Sequence, residues 1–282
     1  SMSNTFQKWR REVIQINKRR IFKINKIKNI MNYRKFTQEN ITELKENEIF
    51  VFGSNLNGNH AGGAAKIAVE KFGAIQGQAT GLQGQSYAIP TLSKDMKKLS
   101  LEEIEKYVLD FFKFAEENPH LDFYVTKIGC GIAGFTIKEM QSIFYKIDLT
   151  YVFNVALPTE FCKLKGYKGY DKGMQCRGMQ FKEEESYHQK GDIKCCNNGI
   201  HFCENPLDVF KYYRYENGEV YTIVESNWYM DSKHIDSKIA TSDIRIKTKI
   251  EFSNLLKIGI DFTFKKLNYL FHKRDMIISK NQ

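Results

Sequence analysis

Ile49-Phe50-Val51-Phe52-Gly53-Ser54-Asn55-Leu56-Asn57-Gly58-Asn59-His60-Ala61-Gly62-Gly63-Ala64-Ala65 is the stretch on which the fold turns. The four large apolar residues Ile49 to Phe52 read as a strand buried on both faces, because a half-exposed strand would alternate with polar residues. A run of Gly, Ser, Asn and His follows at once. Ala64 to Phe72 then has strong helix formers, an apolar stripe at Ile67, Ala68 and Phe72, and Gly73 placed as a C-cap. Strand, Gly/Asn turn and helix open a crevice at the carboxyl end of a sheet, where backbone N–H groups and a helix N-terminus meet an anionic ligand. Such turns also serve simply to let two backbones pass closely, so one loop alone does not argue a ligand.

The flanking sequence supplies a second loop. Gln38 to Lys45 reads as a helical lead-in, and Ser86 to Ile89 as a short strand after the glycines at 73, 77, 81 and 84. Ser100-Leu101-Glu102-Glu103 is a capping box, and Leu101, Ile104, Tyr107, Val108, Phe111 and Ala115 continue at helical spacing until Asn118-Pro119, a stripe that reads as core packing. Leu121 to Ile128 reads as a strand running straight into Gly129-Cys130-Gly131-Ile132-Ala133-Gly134-Phe135, after which Thr136 caps a helix over Ile137 to Tyr145. Tyr151 to Leu157 is a further strand, closed by Pro158. Strands alternating with helices predict an α/β sheet, largely parallel and covered on both faces. Two glycine loops at one edge of that sheet converge on one nucleotide-type ligand.

The 282 residues are enough for one large or two ordinary domains, and 42% hydrophobic residues is ordinary for a globular chain. No apolar run approaches the roughly 18 residues that a membrane span needs. The net charge of +10 is uneven: residues 1–30 carry nine Lys/Arg against one Glu, which leaves the rest near neutral and removes the charge argument for nucleic acid binding by the body. That basic extension reads as an arm ahead of a domain starting near Met31, with a membrane-surface or polyanion-binding helix as the other reading. The six cysteines, with no secretory leader before them, point to free thiols in a reducing cytoplasm. Cys195-Cys196 and His201-Phe202-Cys203 lack the usual spacing of zinc ligands, so these cysteines read as small buried hydrophobes and no metal is expected.

Phe52-Gly53-Ser54-Asn55, His60-Ala61-Gly62-Gly63-Ala64-Ala65, Gly84-Gln85-Ser86-Tyr87-Ala88-Ile89-Pro90 and the Gly129 to Phe135 loop together resemble a divergent macrodomain-like family of bacteria and their phages, over about residues 31–161. The resemblance implies a macrodomain-like mixed sheet flanked by helices, in a bacterial or phage-encoded protein. It also implies ADP-ribose or a related NAD-derived nucleotide as ligand. Asn55, with Ser54 beside it, would hold the distal ribose. Gly62, Gly63 and Ala64 would lie at the ribose and diphosphate. Gly129, Gly131, Ile132, Ala133 and Gly134 would form the second diphosphate loop, with Phe135 near the ribose. Hydrolytic macrodomains of one large class carry an acidic residue immediately after the glycine run, where Ala64 and Ala65 stand here. The adjacent glutamates of poly(ADP-ribose) glycohydrolases have no counterpart either. His60 is the titratable side chain on the loop and the candidate acid or base; the alternative is an imidazole that caps loop backbone or contacts ligand without chemistry.

Gly166 to Asp171 reads as a junction between a domain over 31–165 and a smaller α+β domain over 166–282. Short strands are predicted at Arg177 to Phe181, Ile200 to Cys203, Val220 to Glu225 and Ile244 to Phe252. A helix from Pro206 to Tyr213 is capped by Asn205, and Lys273 to Gln282 reads as a solvated tail. Cys176 to Phe181, Gly199 to Phe210 and Asp236 to Ala240 look like an uncharacterised domain recurrent in phage and bacterial proteins, over about residues 166–265. A fainter likeness to ADP-ribosyltransferase folds points to Arg177, His201 and Glu225. The expected function is ADP-ribose binding with no cofactor required, as in sequestering or sensing a nucleotide during phage–bacterium conflict. The partner is then a small nucleotide or an ADP-ribosylated target. The alternatives are hydrolysis of a modified target and ADP-ribosyl transfer by the second half.

Overall fold

The computed structural model describes residues 34–215, 218–232 and 236–280. The basic extension expected over 1–30 therefore lies outside the described residues.

Strand β1 (Glu48–Asn55) is the centre of the first sheet, and its buried face-to-face pattern has a simple cause. Phe50 and Phe52 point to one side, onto Ala65, Ala68 and Phe72 of helix α1 (Gly63–Phe72). Ile49 and Val51 point to the other, into a cluster with Phe111 and Phe123. β2 (Gly81–Gln83) pairs antiparallel with β3 (Ser86–Leu92), and β3, β1, β4 (Asp122–Val125) and β5 (Val155–Ala156) are parallel, in the order β2-β3-β1-β4-β5. Helix α2 (Leu101–Glu117) and helix α3 (Ile137–Phe144) both start in complete capping boxes, Ser100 with Glu103 and Thr136 with Glu139. The chain after β1 passes through α1 to β3 on one side, then through α2 to β4 on the other. The strand order thus reverses at the β1/β4 boundary, with α1 and α2 on opposite faces.

Two expectations fail here. Residues 38–45 form no helix. Thr37 anchors the segment before them to the sheet edge, its N–H donating to the Leu157 carbonyl at 2.9 Å and its hydroxyl to the Ala156 carbonyl at 2.9 Å. The strand expected over Tyr151 to Leu157 shortens to Val155–Ala156.

The second sheet contains β6 (Lys163–Tyr170), β9 (Ser186–His188), β10 (Ile200–Cys203), β11 (Val220–Ser232) and β12 (Lys238–Lys249), in the order β10-β6-β11-β12-β9. β10 also pairs with β12, so β10, β6, β11 and β12 close into an antiparallel ring. β7 (Gln175–Cys176) and β8 (Met179–Gln180) form a separate hairpin, and α4 (Pro206–Val209) is a single turn capped by the Asn205 side chain. The stretch Gly166 to Tyr170 is not a junction: it lies within β6, paired with β11 along its length. Its glycines are explained by packing. A Cβ on Gly166 would stand 2.3 Å from Phe202 Cδ2, and one on Gly169 2.6 Å from Tyr213 Cδ2.

The tail expected over Lys273 to Gln282 is largely solvent-exposed as far as it is described, but it is helical, the end of α5 (Phe252–Lys280), a 29-residue helix. Leu255 is buried beside Tyr167 and Val209. Further along, the Tyr269 hydroxyl donates to the Pro119 carbonyl at 3.2 Å, and Lys273 Nζ to Asp122 Oδ1 at 2.6 Å. The helix thus touches both sheets. The buried ion pair of Arg34 with Glu204 at 2.7 Å also joins them, and one apolar cluster contains residues from both, among them Val51 and Ile246. The molecule is a mixed α/β structure, and the boundary expected at 165/166 falls inside β6.

Candidate functional site

Adjacent parallel strands β1 and β4 end side by side, and the loops that leave them, 56–62 and 126–136, face one another. This is the position at which open α/β sheets form a ligand crevice, because neighbouring connections depart to opposite faces and leave a gap between them. A cleft of about 1020 Å³ occupies it. That is at the upper end of the range for small-molecule sites, roughly 300–1,000 Å³, and ample for a nucleotide. Both loops contribute: Ser54, Asn55, Ala61, Gly62, Gly63 and Ala64 from the first, Gly129, Gly131, Ile132 and Ala133 from the second.

The loops also touch. Ile132, which is 69% exposed, reaches across to the first loop, and a Cβ on Gly62 would lie 2.8 Å from its Cδ1. A side chain at 62 would push Ile132 aside. Gly62 is at the same time the N-cap of α1, without a side-chain cap and without an acidic residue in the first turn. The first N–H groups of a helix have no intrahelical acceptor, so those of Gly63, Ala64 and Ala65 are left to solvent or to a ligand. In the opposite loop the N–H groups of Gly131, Ile132 and Ala133 find no backbone acceptor among the described residues. Two sets of unspent main-chain donors therefore line one cleft.

Several expected site residues have other roles. Gly134 donates its N–H to the Gly131 carbonyl at 2.9 Å, and its own carbonyl accepts from Lys98 Nζ at 2.6 Å. It is spent on holding the loop and does not line the cleft. Phe135 is buried beneath the loop, under the Lys98 ammonium 4.5 Å from its ring centre, rather than beside a ribose site. His60 turns inward: it is 1% exposed, meets the Phe52 ring edge-on at 5.1 Å and places Nε2 3.1 Å from the Gln78 carbonyl. Because a carbonyl can only accept, Nε2 is the donor in that contact, and buried Nδ1 is left without a partner. The His60 imidazole thus packs under the loop as a structural group, on the far side of the chain from the cleft residues.

Asn55 lines the cleft but gives most of its amide to the turn. Its Oδ1 accepts from the N–H groups of Asn57 and Asn59, both at 3.1 Å, and its Nδ2 donates to the Asn59 carbonyl at 2.7 Å, so one amide hydrogen remains for a ligand. Ser54 similarly donates its hydroxyl to the Ala79 carbonyl at 2.6 Å.

Other cleft residues escaped the sequence reading. Thr91 comes from the end of β3, Lys71 from the last turn of α1, and Lys127 from the start of the second loop. Lys127 pairs with Glu160 at 2.8 Å and with Glu39 at 3.6 Å, which holds its ammonium above the usual lysine range, Glu160 being the larger cause. Lys127 could have been found from its place two residues before Gly129. The wall formed by 39–42 had no local signal, because only the tertiary fold lays that segment over the sheet.

In the second half, Arg177 and His201 line one small cavity. Glu225 lies elsewhere, 3.8 Å from Lys163 in a groove shared with His188 and Asp243. The three polar residues expected to act together are therefore not brought together.

Residues 164–258 match the model of a family described as a domain of unknown function, DUF7666. A solved structure titled a protein of unknown function from Bacteroides thetaiotaomicron is 14% identical, with 45% of this chain and 98% of that chain covered and a TM-score of 0.33. No curated protein matches the chain. No helix among the described residues is long and apolar enough to cross a membrane.

Proposed function

We propose that the cleft between the β1 and β4 loops binds ADP-ribose or a related NAD-derived nucleotide, in a macrodomain-like half that is joined to a smaller α+β half. The observation that carries this reading is the pairing of two glycine loops whose free N–H groups line one nucleotide-sized cleft. Main-chain donors at an uncapped helix start and in a glycine turn suit a diphosphate without requiring any cationic side chain. In this reading Gly63, Ala64 and Ala65 take one phosphate, Gly131, Ile132 and Ala133 the other, and Ile132 lies over the bridge between them. Asn55 offers its remaining amide hydrogen to a ribose hydroxyl.

Binding without turnover is the form that the side chains favour. Among the described residues lining the cleft the carboxylate is Glu39, and it is engaged by Lys127. A hydrolase would need a water-positioning acid or base there, and His60 is turned away. The protein would then sense or hold its nucleotide rather than consume it. Calorimetry of the full chain with ADP-ribose, AMP and ribose 5-phosphate tests this. The expected result is saturable heat with ADP-ribose and at least tenfold weaker binding of either fragment. No heat at millimolar ADP-ribose with folded protein overturns the proposal.

A further inference from the structure

The second half contains a cavity of about 150 Å³, walled by β6, β10, the β7–β8 hairpin and the turns after α4. An apolar cavity of this size holds one benzene-sized ring. Tyr167, Phe202 and Tyr213 are among its walls, yet three cationic side chains, Lys168, Arg177 and Lys238, line it too. Lys168 is 3% exposed, with Nζ 3.3 Å from Cys176 Sγ and 3.1 Å from the His201 carbonyl, above the faces of Tyr170 and Phe181. None of the three forms an ion pair with a carboxylate among the described residues, and no Asp or Glu lines the cavity. Burying an ammonium without a counter-charge is costly, and burial accordingly lowers the Lys168 pKa.

Arg177 adds an independent sign. It and Gly178 form the two-residue turn of the β7–β8 hairpin, at φ 49 and 77. Positive φ at both central residues is the type I′ pattern, which favours Asn, Asp or Gly and penalises a long side chain at the first position. Arg177 is exposed on its outer side, and a non-glycine residue held at positive φ on the wall of a cavity is an outlier of the kind found at ligand sites. His201, on the same wall, accepts the Cys196 N–H at Nε2 at 2.9 Å. Burial, then the charges of Arg177, Lys168 and Lys238, push its pKa down to about 4.

We infer that this cavity is a second ligand site, for a small aromatic anion: a single ring carrying a carboxylate or phosphate. The ring fills the space between Tyr167, Phe202 and Tyr213, and the anionic group supplies the counter-charge that buried Lys168 lacks, with Arg177 and Lys238 also lining the site. The site lies within the DUF7666 match and is separate from the nucleotide cleft. The test is binding of phenyl phosphate, benzoate, inorganic phosphate and benzyl alcohol to the full chain, by ligand-observed NMR and calorimetry. One aryl anion should bind at least tenfold more tightly than both inorganic phosphate and benzyl alcohol, and comparison of phenyl phosphate with benzoate identifies the headgroup. Arg177→Asn, which suits the turn and should raise the melting temperature, weakens that binding at least tenfold, and so does Lys168→Met. Gly62→Asp, in the other cleft, leaves it unchanged. The inference is overturned if neither aryl anion binds, if phosphate or benzyl alcohol binds equally well, or if Arg177→Asn binds as the parent does.

Discussion

Replacing Gly62 by Asp separates stability from binding, because the two effects have opposite signs. Gly62 is the uncapped start of α1, at φ −148, a backbone conformation open to any residue. An Asp there accepts a hydrogen bond from the first turn, worth a few tenths of a kcal/mol over Gly. It also places a carboxylate at the positive end of the helix, worth about 0.3–1 kcal/mol. The new Cβ meets only Ile132 Cδ1, the end of a flexible and exposed side chain, which can swing away. The sum is a gain of roughly 0.5–1 kcal/mol, or about 1–4 °C in Tm for a chain of this size. A diphosphate held by the same N–H groups now faces a negative charge about 5 Å away. At an effective dielectric constant of about 20–80 that costs roughly 1–3 kcal/mol per phosphate charge, before the lost donors are counted. ADP-ribose affinity should therefore fall at least about tenfold while Tm rises. Scanning calorimetry and titration calorimetry on one preparation read both. A variant that is more stable and binds ADP-ribose as before would refute the assignment of the phosphates to this helix start.

Three further outcomes follow from the packing and the charges. Gly166→Ala drives a methyl into the Phe202 ring and should destabilise the protein by about 1–3 kcal/mol in urea unfolding, as overpacking does, whereas Gly131→Ala, with nothing within 4 Å and no positive φ, should change stability far less. His60→Ala removes a buried ring that packs on Phe52 and ties Gln78, and should cost about 2–4 kcal/mol of stability; an equally stable variant would show that the ring does not support the loop. His201 has its folded pKa lowered to about 4, below the ordinary value near 6.5, so its contribution is fully present above pH ~6.5 and is lost as pH falls toward 4. The loss is of order 2–3 kcal/mol, visible as a pH slope in urea midpoints that should be absent in His201→Gln.

What the sequence made legible was local. Ser100 and Glu103, and Thr136 and Glu139, stand three apart and cap the helices as their spacing requires, because every atom involved lies within one turn. Ile49 to Phe52 were readable as doubly buried because no solvated face tolerates four such residues in a row. Gly166 and Gly169 misled for the opposite reason: their partners, Phe202 and Tyr213, lie 36 and 44 positions along the chain, and a glycine that admits an aromatic ring has the same local sequence as one that marks a linker. α5 was illegible for a related cause. Its apolar residues contact two different bodies, Leu255 the second sheet's side and Tyr269 the first, so no single stripe runs its length.

The same distinction governs the site. That a crevice exists at the β1 and β4 ends follows from connectivity, since the chain leaves β1 for α1 on one face and leaves β4 for α3 on the other, toward strands on opposite sides. Which groups face into it is decided by hydrogen bonds that the sequence does not display. Gly134 and His60 are consumed within and beneath their loops, while Gly131 to Ala133 keep their donors. Residue type picks out the loops as glycine-rich and pliable, but the donors left over after a loop has satisfied itself are the ones that can hold a ligand. Any proposal for this cleft therefore rests on N–H groups rather than on side chains. Side-chain truncation at Ser54 or Asn55 would disturb the turn along with the ligand, whereas a change at Gly62 addresses the donors themselves.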